Sequence, residues 1–315
     1  MPSNSTNPAP PKAISLDQRF HHNTSTHSHT IHWTSLGSPT SPPLIFIHGT
    51  PWSSLVWHPF ALSLSRHFHI YLFDNPGFGA SPLGTPLPAA IPTAPESLDA
   101  DLAQQSAVAA ALFDFWTADA SQGWQNRPPH VVAHDHAGLM ALRAHLLHGV
   151  PFASLCLIDV VAIGPFGHPL FKLVAENEGV FTQLTGPVFE GVVESYIRDA
   201  AHKELGRETM EALKAPWLRG EEGRKGFVRQ MCQANSRSVP EDVERRYAEV
   251  GKSMPVLVVW GSEDRWLPVE IAGRLGRALG AREVVEIEGA GHLIMYDQGE
   301  RLGVELGWWL SSVSR

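Results

Sequence analysis

The stretch Val131-Val132-Ala133-His134-Asp135-His136-Ala137-Gly138, continued by Leu139-Met140-Ala141-Leu142-Arg143-Ala144-His145, decides how the rest of the chain is read. A short apolar run breaks at a tight turn and resumes as a helix-forming segment. Small residues at Ala133, Ala137 and Gly138 let strand and helix backbones approach closely, so the middle residue is thrust out on a strained turn. This is the form of a nucleophile elbow. Where serine is the commoner occupant, the chain carries the carboxylate of Asp135.

That exchange changes the chemistry. A serine must lose a proton and attacks carbonyls, whereas an aspartate is already ionised at neutral pH and would gain little by forming an anhydride with an ester. Its natural target is a saturated carbon bearing a leaving group. The product is an alkyl ester on the protein, which histidine-activated water can hydrolyse.

Outward from the elbow, Leu44-Ile45-Phe46-Ile47 and His69-Ile70-Tyr71-Leu72-Phe73 are continuous apolar runs of the kind expected for strands buried on both faces, with helical periodicity from Ser53 to Ser65 between them. This βαβ unit predicts a mostly parallel central sheet flanked by helices. Further strands are expected at 153–159, 256–260 and 282–287, an opening hairpin over 14–20 and 30–35, and a helix from an N-cap at Ser97 to about Ala118. From Asp159 to Pro255 the alternation stops and helix follows helix. The expected division is a disordered tail over 1–12, an α/β core over 13–162 and 252–315, and a helical lid over 163–251 enclosing an apolar pocket above Asp135.

Two loops supply partners for the elbow. Gly289-Ala290-Gly291-His292-Leu293 places a histidine after the last strand, in the position of a general base, and Gly261-Ser262-Glu263-Asp264 places an acid where it could orient that histidine. Asp159, ending the strand after the elbow, is the alternative acid. Upstream, His48-Gly49-Thr50-Pro51 offers the Thr50 backbone N–H, which with that of His136 could form an oxyanion hole. Tyr196 lies on the apolar face of its helix in the lid, and Trp52 is a candidate at the pocket mouth.

His48-Gly49-Thr50-Pro51, the Asp135 elbow, Trp260-Gly261-Ser262-Glu263-Asp264 and Gly291-His292, in the order nucleophile, acid, histidine, resemble the α/β-hydrolase superfamily over roughly residues 30 to 312. The aspartate elbow looks like the epoxide hydrolase and dehalogenase branch. The resemblance implies an α/β-hydrolase fold, a catalytic set of Asp135, Asp264 and His292, and hydrolysis of a small, largely apolar substrate, with epoxide opening as the leading reading. Haloalkane dehalogenases usually hold halide with a tryptophan after the nucleophile and an asparagine in the oxyanion loop, where this chain has His136 and Thr50. Haloacetate dehalogenases carry arginines where it has His136 and Leu139. Epoxide hydrolases use two lid tyrosines to protonate the opening oxygen; the resemblance makes Tyr196 the candidate lid proton donor or substrate contact, and Val228 stands where the second tyrosine is expected. A haloalkane or haloacid dehalogenase is the alternative, and a ligand receptor or non-hydrolytic biosynthetic catalyst on the same fold is the alternative of another class.

Composition is compatible with this reading. The 315 residues are 43% hydrophobic, and a net charge of -8 without a basic run argues against nucleic acid or an anionic membrane as partner. Two cysteines, Cys156 and Cys232, make no disulfide framework, and the first residues lack the pattern of a signal peptide, so a cytoplasmic setting is expected. No metal and no cofactor is expected: the group His21, His22, His27, His29 and His32 reads as solvated histidines of a polar hairpin, and Gly77-Phe78-Gly79 as a turn rather than a dinucleotide fingerprint.

Overall fold

The computed structural model describes residues 13–88, 100–124, 127–166, 169–234 and 242–314. The tail 1–12 and Ser97 lie outside the described residues. Among those described, nine strands form one sheet: β1 (Gln18–Asn23), β2 (His27–Leu36), β3 (Pro43–Ile47), β4 (His69–Phe73), β5 (Thr85–Pro86), β6 (His130–His134), β7 (Ser154–Ile158), β8 (Val256–Gly261) and β9 (Glu283–Ile287). The order is β1-β2-β4-β3-β6-β7-β8-β9, with β5 beside β2. β3, β4, β6, β7, β8 and β9 are mutually parallel, while β1, β2 and β5 pair antiparallel. This is the α/β-hydrolase arrangement the sequence predicts.

Strand burial follows the two-faced pattern. Ile45 and Ile47 face one core with Val131 and Ala133, while Leu44 and Phe46 face the other with Val132. The helices Leu102–Ala118, His136–His148 and Glu270–Leu279 cover the first face; His58–Leu64 and Gly299–Val313 cover the second. Between β7 and β8 the described chain is helical, with Pro169–Glu176, Glu178–Thr182, Gly186–Ala200, Arg207–Lys214, Gly220–Gln233 and Tyr247–Ser253. Lys214 binds Glu190 at 2.8 Å and Glu194 at 3.1 Å, joining two of these helices, and the Trp217 indole N–H donates to the Pro51 carbonyl at 3.0 Å, fastening the insertion to the loop after β3.

Three expectations are corrected. The opening hairpin starts at Gln18, with its second strand from His27. The helix expected from Ser97 begins at Leu102, capped by Asp101, whose carboxylate accepts the Ala103 N–H at 2.7 Å. His27 and His29 are buried, not solvated: β2 lies inside the sheet, and its alternation sets them on the face of Ile31 and Trp33. Burial, and then the charge of His27, push the His29 pKa down to about 4. Among the described residues, no helix is long and apolar enough to cross a membrane.

The topology fixes where a site can form. From β3 the chain steps to β4 on one side, and β6 lies on the other. The carboxyl ends of β3 and β6 therefore flank a switch point, the usual position for a ligand crevice in an open α/β sheet. The loops leaving those ends carry Thr50 and Asp135.

Candidate active site

Asp135 has φ 55° and ψ -130°, a region that non-glycine residues rarely occupy and that costs on the order of 1–3 kcal/mol. Its surroundings enforce this conformation. Its N–H donates to the Ile158 carbonyl at 3.2 Å, and its carbonyl accepts from Gly138 at 3.0 Å and Val161 at 3.2 Å. Glycine is required on both sides: a Cβ at Gly49 would stand 2.4 Å from the Asp135 Cβ, and one at Gly138 would stand 2.4 Å from the Val160 Cβ. The small residues of the elbow are thus what lets the carboxylate reach the crevice.

The two carboxylate oxygens of Asp135 have different surroundings. Oδ2 accepts the Thr50 N–H at 2.7 Å and lies 3.2 Å from His136 Nδ1. Oδ1 lies 3.6 Å from His292 Nε2. Burial favours the neutral acid, but His136 and the hydrogen bonds of His136 and His292 outweigh it and hold the group well below the usual carboxylate range. Asp135 is therefore ionised.

His292 Nδ1 lies 2.8 Å from Asp264 Oδ2. Nδ1 donates to that oxygen, and Nε2 is the nitrogen turned toward Asp135. The other oxygen of Asp264 accepts the N–H groups of Trp266 at 2.8 Å and Leu267 at 3.0 Å, which fixes the carboxylate's orientation. Burial opposes a charged His292, but the charge of Asp264 and the hydrogen bonds of Asp135 and Asp264 prevail and raise its pKa well above that of a free histidine. The imidazolium is thus held between two carboxylates.

Asp159 is not part of this chain of contacts. Its Oδ1 accepts the Gly261 N–H at 2.8 Å, and its Oδ2 is buried without a hydrogen-bond partner among the described residues. Burial first, and the charge of Asp264 second, push its pKa well above the carboxylate range, so it stands as a neutral acid beneath the site.

A cavity of about 540 Å³ opens above Asp135, His136 and His292, lined also by Phe166, Phe171, Tyr196, Trp266, Leu267 and Ile271, with Arg265, Glu270 and Arg274 toward solvent. Tyr196 stacks on Trp266 with ring centroids 4.3 Å apart, and Trp266 lies 4.9 Å from the His292 ring. Trp52 does not line this cavity. It is buried, stacked on Trp266 at 6.3 Å, so it buttresses the wall rather than forming the mouth.

Other residues position the site without touching the cavity. Asp297 accepts the N–H groups of Gly291 at 2.9 Å, His202 at 2.8 Å and Lys203 at 2.8 Å, tying the His292 loop to the end of the helix Gly186–Ala200. Glu263 accepts from Gly289 and Ala290, and His134 Nε2 meets the His292 carbonyl at 2.8 Å. Burial, then the charge of His292, lower the His134 pKa to about 3, so it is a neutral support. The supporting roles of Asp297 and Glu263 are not legible in the sequence. Nothing in their local sequence signals a carboxylate that collects backbone N–H groups from separate loops.

Fold and site together define a class. The chain belongs to the alpha/beta hydrolase family, whose model matches residues 44–303. Among solved structures it is similar to an alpha/beta hydrolase fold protein from Burkholderia ambifaria, 32% identical over 93% of this chain and 97% of that one, with a TM-score of 0.79. A haloalkane dehalogenase from Bradyrhizobium elkani shares the fold at a TM-score of 0.72 and 18% identity, covering 94% of this chain and 98% of that one. A pimeloyl-[acyl-carrier protein] methyl ester esterase from Aeromonas hydrophila is 23% identical over 266 residues, 80% of this chain and 88% of the esterase.

Proposed function

We propose that this hydrolase acts on a small, largely apolar substrate with a leaving group on saturated carbon, forming an alkyl ester on Asp135 that His292-activated water resolves, and that the reaction is epoxide opening. The observation that carries this reading is the ionised carboxylate at the elbow, with Oδ2 on the Thr50 N–H and Oδ1 beside His292. An ester of the kind named for the Aeromonas relative would call for acyl transfer, and attack by Asp135 there would yield an anhydride.

In this reading the helices between β7 and β8 form the lid, over roughly 163–251, on a core of 13–162 and 252–315. Oδ1 attacks the epoxide carbon while Tyr196 donates to the opening oxygen. Esterification removes the charge of Asp135 and with it part of what keeps His292 protonated, so the imidazolium passes its Nε2 proton to the phenolate left on Tyr196 and becomes neutral. The imidazole can then take a proton from water as that water attacks Cγ, with Asp264 stabilising the imidazolium that forms. The negative charge developing on Oδ2 meets the Thr50 N–H, with the His136 N–H as second donor in the hole. Halide displacement is less well served: the Trp266 indole N–H is committed to Asp199 Oδ2 at 2.8 Å.

A single turnover in oxygen-18 water tests the covalent step. Label is expected in the Asp135 carboxylate, with unlabelled oxygen in the first product; label appearing first in the product would mean direct water attack. Asp135→Asn should abolish turnover, with intact mass checked for deamidation. Tyr196→Phe should slow ester formation from an epoxide by about two orders of magnitude. Unchanged alkylation in that variant would remove Tyr196 from the mechanism.

A further inference from the structure

The Thr50 N–H that reaches Asp135 Oδ2 is one end of the Gly49–Thr50 peptide group, and the Gly49 carbonyl is the other. Two donors meet that carbonyl: His48 Nδ1 at 2.9 Å and the Trp52 N–H at 3.1 Å. His48 is fully buried, its ring 5.4 Å from that of Phe78. Its partners fix where the hydrogen sits. A carbonyl oxygen can only accept, so Nδ1 carries the hydrogen, while Nε2 accepts the Asn75 backbone N–H at 2.9 Å. Asn75 Nδ2 donates in return to the His48 carbonyl at 3.0 Å, clamping the loop after β4 to the loop after β3. Burial holds the His48 pKa below that of a free histidine, in keeping with a neutral ring. Asp74 Oδ1 stands 4.0 Å from Nε2, but the Asp74 carboxylate is committed to the N–H groups of Ser54 at 2.7 Å and Ala80 at 2.6 Å.

We propose that His48 is a positioning residue of the oxyanion hole, whose Nδ1–H orients and polarises the peptide group that presents the Thr50 N–H to Oδ2, a role that rests on the alkyl-ester reading above. Every bond in the series runs the same way: from the Asn75 N–H into Nε2, from Nδ1–H into the Gly49 carbonyl, and from the Thr50 N–H into Oδ2. In a buried site, aligned bonds of this kind polarise and strengthen one another. The Trp52 N–H holds the same carbonyl independently, so loss of Nδ1 weakens the Thr50 donor without releasing the turn.

The two chemical steps need this donor differently. In the first, Asp135 gives up charge as Oδ1 bonds to carbon, so a weaker Thr50 donor does not slow the attack. In the second, water oxygen bonds to Cγ as its proton passes to His292, and an electron pair of the Cγ–Oδ2 double bond moves onto Oδ2. The charge on Oδ2 then faces the Thr50 N–H. When the Cγ–Oδ1 bond breaks, Oδ1 leaves with the product and takes the proton from His292. His48 therefore acts on ester hydrolysis and not on ester formation.

Two reciprocal variants test this. His48→Asn sets an amide N–H at the place of Nδ1 and gives up the contact with Asn75; His48→Gln sets an amide oxygen at the place of Nε2 and gives up the donation to Gly49. Rapid-quench intact mass with one epoxide follows formation and decay of the Asp135 adduct. Outright loss of an oxyanion-hole donor costs about 100- to 1,000-fold, and the weakened donor of His48→Gln should slow decay at least about tenfold. Formation should stay within about threefold of the parent, so the ester accumulates and kcat and KM fall together. In His48→Asn decay should remain within about threefold of the parent. The Thr50 amide-proton resonance, read by NMR in the resting protein, should move upfield in His48→Gln and stay in place in His48→Asn. Formation and decay slowed in parallel would make His48 a support for the loop and overturn the role, as would decay in His48→Gln as fast as in the parent, equal slowing of decay in both variants, or a Thr50 resonance that does not move. No adduct in His292→Ala protein that retains His48 would instead overturn the alkyl-ester reading, and this role with it.

Discussion

Replacing His292 by alanine is expected to give a protein that reacts once and stops. Asp135 is ionised and needs no base to attack carbon, so the first step survives loss of the imidazole. The second step does not, because the water that attacks Cγ has lost the nitrogen now standing 3.6 Å from Oδ1. The alkyl ester should accumulate stoichiometrically, seen by intact mass as an adduct of substrate mass for an epoxide, or substrate mass less the hydrogen halide for an alkyl halide. Turnover should fall by about four orders of magnitude or more, the scale seen when a member of a hydrolase triad is removed. A variant that binds substrate yet never forms the adduct would sink the two-step scheme.

The second large effect is expected at Asp264, and its contrast with Asp159 is the informative part. Asp264 binds His292 Nδ1 at 2.8 Å while two backbone N–H groups hold its other oxygen. An asparagine there can turn an N–H₂ toward Nδ1, which favours the wrong tautomer and removes the charge that stabilises the imidazolium. The loss should approach about four orders of magnitude, by analogy with the same change in serine triads. Asp159→Asn should cost less than about tenfold. Asp159 is already held as a neutral acid, and an asparagine carbonyl can still accept the Gly261 N–H. Steady-state turnover of the two variants side by side checks this; the reverse ranking would move the acid's role to Asp159.

Particular elements show how far the sequence could be read. The run from Val131 to Gly138 announces a strand, a strained turn and a helix, because only small residues at Ala133, Ala137 and Gly138 permit that approach, and the structure has β6, Asp135 at φ 55° and the helix His136–His148 there. The apolar runs at β3, β4, β7 and β8 announce a parallel sheet because strands buried on both faces cannot alternate. The start of the helix Leu102–Ala118 differs from the expected one because Ser97, Asp99 and Asp101 all suit an N-cap and local preference does not choose among them. Trp52, His27 and His29 are buried where the sequence suggests a pocket mouth and solvent, because composition says what a side chain prefers, while sheet order says what covers it.

The sequence by itself determined the class of fold, the carboxylate at the elbow, and the set from which its partners would be drawn: Thr50, His136, Asp159, Asp264 and His292. All of that follows from local pattern, which periodicity, small residues and turn chemistry express over a dozen positions. Which atoms meet was decided by the tertiary structure alone. Thr50 reaches Asp135 across 85 positions of chain, and Asp297 reaches back across 95 to His202. Asp264 and Asp159 are both acids at the ends of neighbouring strands. One becomes the partner of His292 and the other a neutral bystander through the backbone N–H groups and neighbours each one meets, and these are properties of the packed sheet and its loops rather than of any segment of the chain.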